Sequence, residues 1–289
     1  ATLTLSGAGA ANVVGGTLAL TNIDQTADHD IIMDVAGALT VTGATTLTAH
    51  SGSSAANSRL IVDKAATFTG GVTLDDNTGL AVLEFEQDNA VTIAGDVAAA
   101  ANGEGTIELT GVGKTLSGTL GASDKKLKEV QIDAASAVLS GTGYLTLLDV
   151  NATATLSGAM NLGTATIDAA TASSGGITAT TVTMGNGDVL TISDGNVTTS
   201  AIVLSDGTSA LTISGSDVTI TGDIDAAGTD DAGLVNVTGA KATFAGNLGS
   251  ASTKNITSLN ISASKRAVIT ETANFVDQID MAALGEIEI

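Results

Sequence analysis

Residues 105–121 read GTIELTGVGKTLSGTLG, and residues 233–249 read GLVNVTGAKATFAGNLG. The two stretches align without a gap. Gly105, Thr110, Gly111, Gly118, Leu120 and Gly121 meet Gly233, Thr238, Gly239, Gly246, Leu248 and Gly249, and Lys114 falls one place from Lys241. With one inserted residue the match continues, so that Val130 and Ile132 meet Leu259 and Ile261 and Tyr144 falls near Phe275. A shared glycine frame together with a shared apolar register marks an internal repeat, spanning about 105–150 and 233–281.

Inside each copy runs a shorter beat. Apolar pairs fall at Ile107/Leu109, Val130/Ile132 and Leu148/Val150, followed by Ile167. These steps, about 18–23 residues, suit one coil of a parallel β-helix. Across the chain, three- to five-residue segments alternate apolar and polar, as in Val72-Thr73-Leu74, Val91-Thr92-Ile93 and Val218-Thr219-Ile220. Period-two alternation marks strands with one buried face. Gly, Asn, Asp and Ser separate them, as in Gly185-Asn186-Gly187-Asp188. The chain contains no Pro, which would remove a donor from a strand paired on both sides. We therefore expect an all-β fold, a parallel β-helix (β-solenoid) with irregular coils, running as one continuous domain over 1–289. Over Thr270–Gly285 the residues Ala273, Phe275, Val276, Ile279 and Ala283 stand near helical spacing, but the repeat register predicts a strand there.

Composition sharpens this. Aromatic residues make up only 2% of the chain, with no Trp and one Tyr, so the core must be built from Val, Ile, Leu, Ala and Thr. Cys is absent, which excludes disulfides and thiolate metal sites. The net charge is −21 and Arg59 and Arg266 are the two arginines, so nucleic-acid backbones are excluded as partners. No run approaches the length of a membrane span. The opening ATLTLSG is itself strand-like, which we read as a mature chain or a segment of a longer one.

Catalytic chemistry has little to draw on. His29 and His50 are the only imidazoles, and His29 sits in the polar run Asp28-His29-Asp30. Paired carboxylates such as Asp223/Asp225 occur without nearby aromatic platforms, and the densest basic group, Lys125, Lys126 and Lys128, reads as an inter-strand loop. We expect no enzyme. Acidic turns offer oxygen ligands for Ca²⁺, with Asp188, Asp194, Asp206, Asp230 and Asp231 as candidates, and ordinary turn use competes for the same residues. Sequons occur at Asn151, Asn196, Asn236, Asn255 and Asn260. The Thr-rich run Thr178–Thr183 would suit an ice-binding face only if it recurred at fixed coil spacing.

The stretch GTIELTGVGKTLSGTLGASDKKLKEVQID resembles the β-strand repeats of large bacterial surface antigens, including autotransporter passenger regions and surface-layer proteins. That resemblance implies export to the cell surface, a β-helical architecture and a structural or adhesive role. Both ends alternate, at Ala1-Thr2-Leu3 and at Ile287 and Ile289. Open ladder edges must be capped or used. We therefore expect a self-assembling extracellular surface-layer or filament subunit whose partner is itself. The alternative is an adhesin stalk or binding module with cell-surface glycans as partners.

Overall fold

The computed structural model describes residues 2–7, 11–13, 18–21, 29–35, 39–49, 57–62, 66–86, 88, 91–227, 232–249, 254–271 and 274–289. Among these every regular element is a strand. The chain forms two compact units, Ala1–Ala152 and Thr153–Ile289, and each is a stacked parallel β-solenoid.

In the first unit one sheet carries the strands Thr2–Gly7, His29–Val35, Ser58–Val62, Ala81–Phe85, Glu104–Leu109, Leu127–Ile132 and Gly143–Val150. A second carries Ala11–Val13, Leu39–Val41, Ala66–Phe68, Val91–Ile93, Lys114–Leu116 and Ala137–Leu139. A third carries Leu18–Thr21, Thr45–Thr48, Val72–Asp75 and Val97–Ala99, and is prolonged by single bridges at Leu120 and Gly143. The coils shorten along the unit. Ile31 pairs with Leu60, 29 residues on; Ile107 pairs with Val130, 23 on; Val130 pairs with Leu148, 18 on. In the last of these coils the third face has merged into the strand Gly143–Val150. The apolar beat in the sequence is thus the register of the first sheet.

The second unit has two sheets. One contains Met160–Ile167, the pair Ile177–Thr178 and Thr181–Met184, then Val197–Leu204, Val218–Ala226, Lys241–Ala245, Arg266–Ile269 and Glu286–Glu288. The other contains Ala154–Leu156, Thr171–Ser173, Val189–Ile192, Ala210–Ile213, Leu234–Val237, Ile256–Ile261 and Val276–Met281. Coils here run from 17 residues, Ala165 to Val182, to 25, Lys241 to Arg266. The coil range is therefore wider than 18–23, because the corner loops and not the strands absorb the variation. The strand Val276–Met281 follows the repeat register, not the helical spacing.

Parallel in-register stacking places like residues above one another. Leu60, Leu83, Ile107, Val130 and Leu148 form one unbroken core row with no solvent exposure. Val62, Phe85, Leu109, Ile132 and Val150 form the next. Mostly aliphatic side chains repeat at the roughly 4.8 Å spacing of the ladder, with Phe85 the one ring in these two rows, which suits the low aromatic content. The repeat also recurs as geometry. Gly121 and Gly249 both take positive φ, 72° and 74°. Their N–H groups donate to Val97 O and Ile224 O, each at 2.7 Å. The carbonyls of Tyr144 and Phe275 stand in the same place above them.

One corner of the first unit is a column of glycines. A Cβ on Gly118 would lie 2.1 Å from the Gly95 carbonyl oxygen, and a Cβ on Gly141 would lie 1.8 Å from that of Gly118. Backbone rests on backbone there, so no side chain fits. Gly118→Ala should lower stability by about 1–3 kcal/mol through overpacking, and Leu109→Ala by about 2–5 kcal/mol through the cavity it leaves. Chemical denaturation followed by far-UV circular dichroism measures both. An unchanged midpoint for either would contradict this packing.

Candidate functional site: polar corners, an acidic face and the coil Val276–Ile289

The corners give several of the Asn and Asp residues a structural role. At six of them a side-chain oxygen of one coil accepts a backbone N–H from the next. Asn57 Oδ1 accepts from Leu80 (2.9 Å), Asp88 from Val112 (2.9 Å), Asp96 from Thr119 (2.7 Å) and Asn102 from Lys126 (3.1 Å). Asn196 accepts from Thr219 (2.9 Å) and Asp223 from Asn247 (2.8 Å). Corner N–H groups fall outside the strand ladders and need such partners. Sequence reasoning missed these caps, whose only signal is an Asx residue 23 or 24 positions before its donor.

Asp206 is a turn residue of the same kind. Its Oδ1 accepts from the N–H groups of Gly187, Thr208 and Ser209 and from the hydroxyls of Thr208 and Ser209. These donors, the Thr208 N–H foremost, hold its carboxyl well below the usual carboxylate range. Asp188 lies nearby, and desolvation, then Asp168 and Asp206, push its carboxyl up. Asp194 Oδ1 accepts from Gly195 N–H at 2.7 Å in its own turn. Asp230 and Asp231 lie outside the described residues, as does His50, and of His29 only the backbone is described. Among the described residues no three acidic or histidine side chains converge as a metal-holding group.

On the outer face of the first unit Glu84, Glu108, Gln131 and Asp149 form a row, one per coil. Arg59 pairs with Glu84 at 2.7 Å and reaches Glu108 at 3.5 Å. Desolvation pushes Glu108 up; Arg59 opposes this, while Glu84, Asp133 and Glu129 add to it. Desolvation and then Asp149 push Glu129 up. In the strand Lys114–Leu116 of the second sheet, burial pushes the Lys114 ammonium down. Lys114 takes a core position, and its Nζ donates to Val112 O at 3.3 Å.

The remaining sequence candidates separate. Lys125 closes a turn with Ala122 through two backbone hydrogen bonds, Lys126 N–H meets Asn102, and Lys128 lies in the strand Leu127–Ile132. Asp223 caps Asn247, and Asp225 Oδ1 is buried without a partner. The Thr array of the second unit is brief. The rows Thr164–Thr181 and Thr166–Thr183 continue as Ala201–Asp223 and Val203–Asp225. Ala1 lies outside the described residues, and Thr2 and Leu3 pair with Asp30 and Ile31 through the backbone.

The coil made by Val276–Met281 and Glu286–Glu288 stacks on the strands Ile256–Ile261 and Arg266–Ile269. The core row Leu190, Leu211, Val235, Leu259 ends on Ile279, which is 45% exposed. The adjoining row Ile192, Ile213, Val237, Ile261 ends on Met281, 52% exposed. Leu284 and Ile289 are more than 80% exposed, and Ile287 pairs with Ala267. Among the described residues no helix is long and apolar enough to cross a membrane. Comparison with protein-family models, curated proteins and solved structures returns no match.

The acidic face has a defined pH dependence. Glu108 and Glu129 titrate above the ordinary glutamate value of 4.5, so the folded state binds protons the unfolded chain has released. The resulting stability is fully present below that ordinary value and is lost as pH rises through the folded pKa values. Asp206 acts oppositely, its contribution fading as pH falls below 3.8. Glu129→Gln should stabilise the protein at pH 7 by about 0.5 kcal/mol, the scale of a partly screened surface charge, and should flatten the loss of stability between pH 4.5 and 7. Thermal melts at the two pH values measure this; a variant less stable than the parent at pH 7 would contradict it.

Proposed function

We propose that this chain is a non-catalytic structural protein of the cell exterior that assembles with copies of itself by adding coil to coil. The supporting observation is the in-register stack itself, in which the ladder groups and core rows of one coil, such as Leu190–Leu211–Val235–Leu259–Ile279, are completed by the next. Unpaired strand edges template the addition of further strands, and burying the apolar ends of the rows adds about 25 cal/mol for each Å² covered.

Chemistry and charge favour the exterior. A thiol-free chain with 31 acidic residues suits lateral faces that stay in solution. Among the described residues the lateral faces carry polar rows such as Thr191–Thr212 and Asn236–Asn260, which suit a scaffold surface.

Light scattering and negative-stain electron microscopy of the purified protein, with and without Ca²⁺, test this. Polymers one solenoid wide are expected, and the double variant Ile279→Lys/Met281→Lys should remain folded and fail to polymerise. A monodisperse monomer at high protein concentration, or polymers unaffected by the double variant, would contradict the proposal.

A further inference from the structure

Five asparagines carry the Asn-x-Ser/Thr pattern of N-glycan acceptors, and the fold treats them very differently. N-glycosylation consumes one Nδ2 hydrogen and leaves Oδ1 as it was. An acceptor built into a folded protein must therefore have Nδ2 free and can use Oδ1 for structure.

Asn236 and Asn260 fail this condition. Asn260 Nδ2 donates to Asn236 Oδ1 at 2.8 Å, and Asn236 Nδ2 donates to Thr212 Oγ1 at 3.4 Å. Ser258 Oγ donates to Asn260 Oδ1 at 2.8 Å, completing an amide ladder on half-buried strand positions. Asn255 Nδ2 donates to Asp277 Oδ1 at 2.8 Å, and the hydroxyl of its sequon partner Thr257 is buried. Asn151 is exposed, but Nδ2 donates to Asp133 at 2.8 Å and to Asp149 at 3.2 Å.

Asn196 is the opposite case. It stands exposed in the turn Asp194-Gly195-Asn196, which the positive φ of Gly195 creates. Its Oδ1 is used, accepting the Thr219 N–H of the next coil, and among the described residues no hydrogen bond engages its Nδ2. Thr198, the hydroxyl of the sequon, is exposed. The side chain is thus fixed by its oxygen with its nitrogen turned to solvent.

We propose that Asn196 is the N-glycan acceptor of the folded chain. The donor is a lipid-pyrophosphate-linked oligosaccharide. The anomeric C1–O bond breaks, its electron pair leaving with the lipid pyrophosphate; the C1–Nδ2 bond forms, and one Nδ2 proton passes to the enzyme's base. The Thr219 cap survives, because Oδ1 takes no part. Meeting such an enzyme in the cell requires the export proposed above, whereas the reactivity of the site does not.

The test uses purified protein, a solubilised oligosaccharyltransferase and its lipid-linked donor, with folded and urea-unfolded chains compared by peptide mass spectrometry. In the folded chain Asn196 should be occupied roughly tenfold more than Asn236 or Asn260, which must give up one or two hydrogen bonds to react. Unfolding should remove that difference. Thr198→Ala should abolish the Asn196 product without shifting the melting temperature. A folded chain unmodified at Asn196, or modified equally at Asn236 and Asn260, would overturn the proposal, whether or not the protein polymerises.

Discussion

The hydrogen-bond ladder between neighbouring coils is the interaction on which the other features depend. A strand in a parallel solenoid satisfies none of its own N–H and C=O groups; each coil relies on the coils on either side. In-register pairing then follows, since shifting a strand by one residue would turn its whole apolar face outward. From register come the core rows such as Leu60–Leu83–Ile107–Val130–Leu148, and from the rows comes tolerance of small aliphatic side chains.

Corners are the second requirement. A ladder holds only where the chain is straight, so each turn leaves N–H groups that the sheets cannot satisfy. Side-chain oxygens of Asn57, Asp88, Asp96, Asn102, Asn196 and Asp223 meet them from the preceding coil. Where even a cap is too large, glycines stack backbone on backbone, as at Gly95, Gly118 and Gly141. Acidic residues in this chain therefore do two kinds of work. Some stitch coils together at corners. Others, such as Glu108 and Glu129, crowd one outer face and are held above their ordinary pKa values by burial first and then by neighbouring carboxylates.

Much of the fold was legible in the sequence because stacking converts sequence spacing into register. The pairs Ile107/Leu109, Val130/Ile132 and Leu148/Val150 are neighbours in space for the same reason that they are periodic in the chain. The glycine frame was legible too, since Gly121 and Gly249 occupy the same backbone conformation under the same carbonyl. What stayed hidden depends on which loop position lies above which. Asp206 reads as a metal candidate in the sequence, and only the fold places five donors around its Oδ1. Sequons look alike in the sequence, and only the strand register separates Asn196, with a free amide, from Asn236 and Asn260 in a ladder. Lys114 gave no sign of taking a core position, because its long side chain folds back to a carbonyl two residues away.

Stacked coils make a distance prediction that no other fold shares. In the second unit Thr155, Ala172, Thr191, Thr212, Asn236, Asn260 and Asp280 form one row, one residue per coil. The chain has no cysteine, so nitroxide labels can be placed by Thr155→Cys, Thr191→Cys and Asp280→Cys alone. Pulsed electron paramagnetic resonance should give a distance of about 29 Å for the 155/280 pair and about 19 Å for the 191/280 pair, following the 4.8 Å ladder spacing. Equal distances for the two pairs, or a difference far from two coil spacings, would contradict the stacked parallel solenoid.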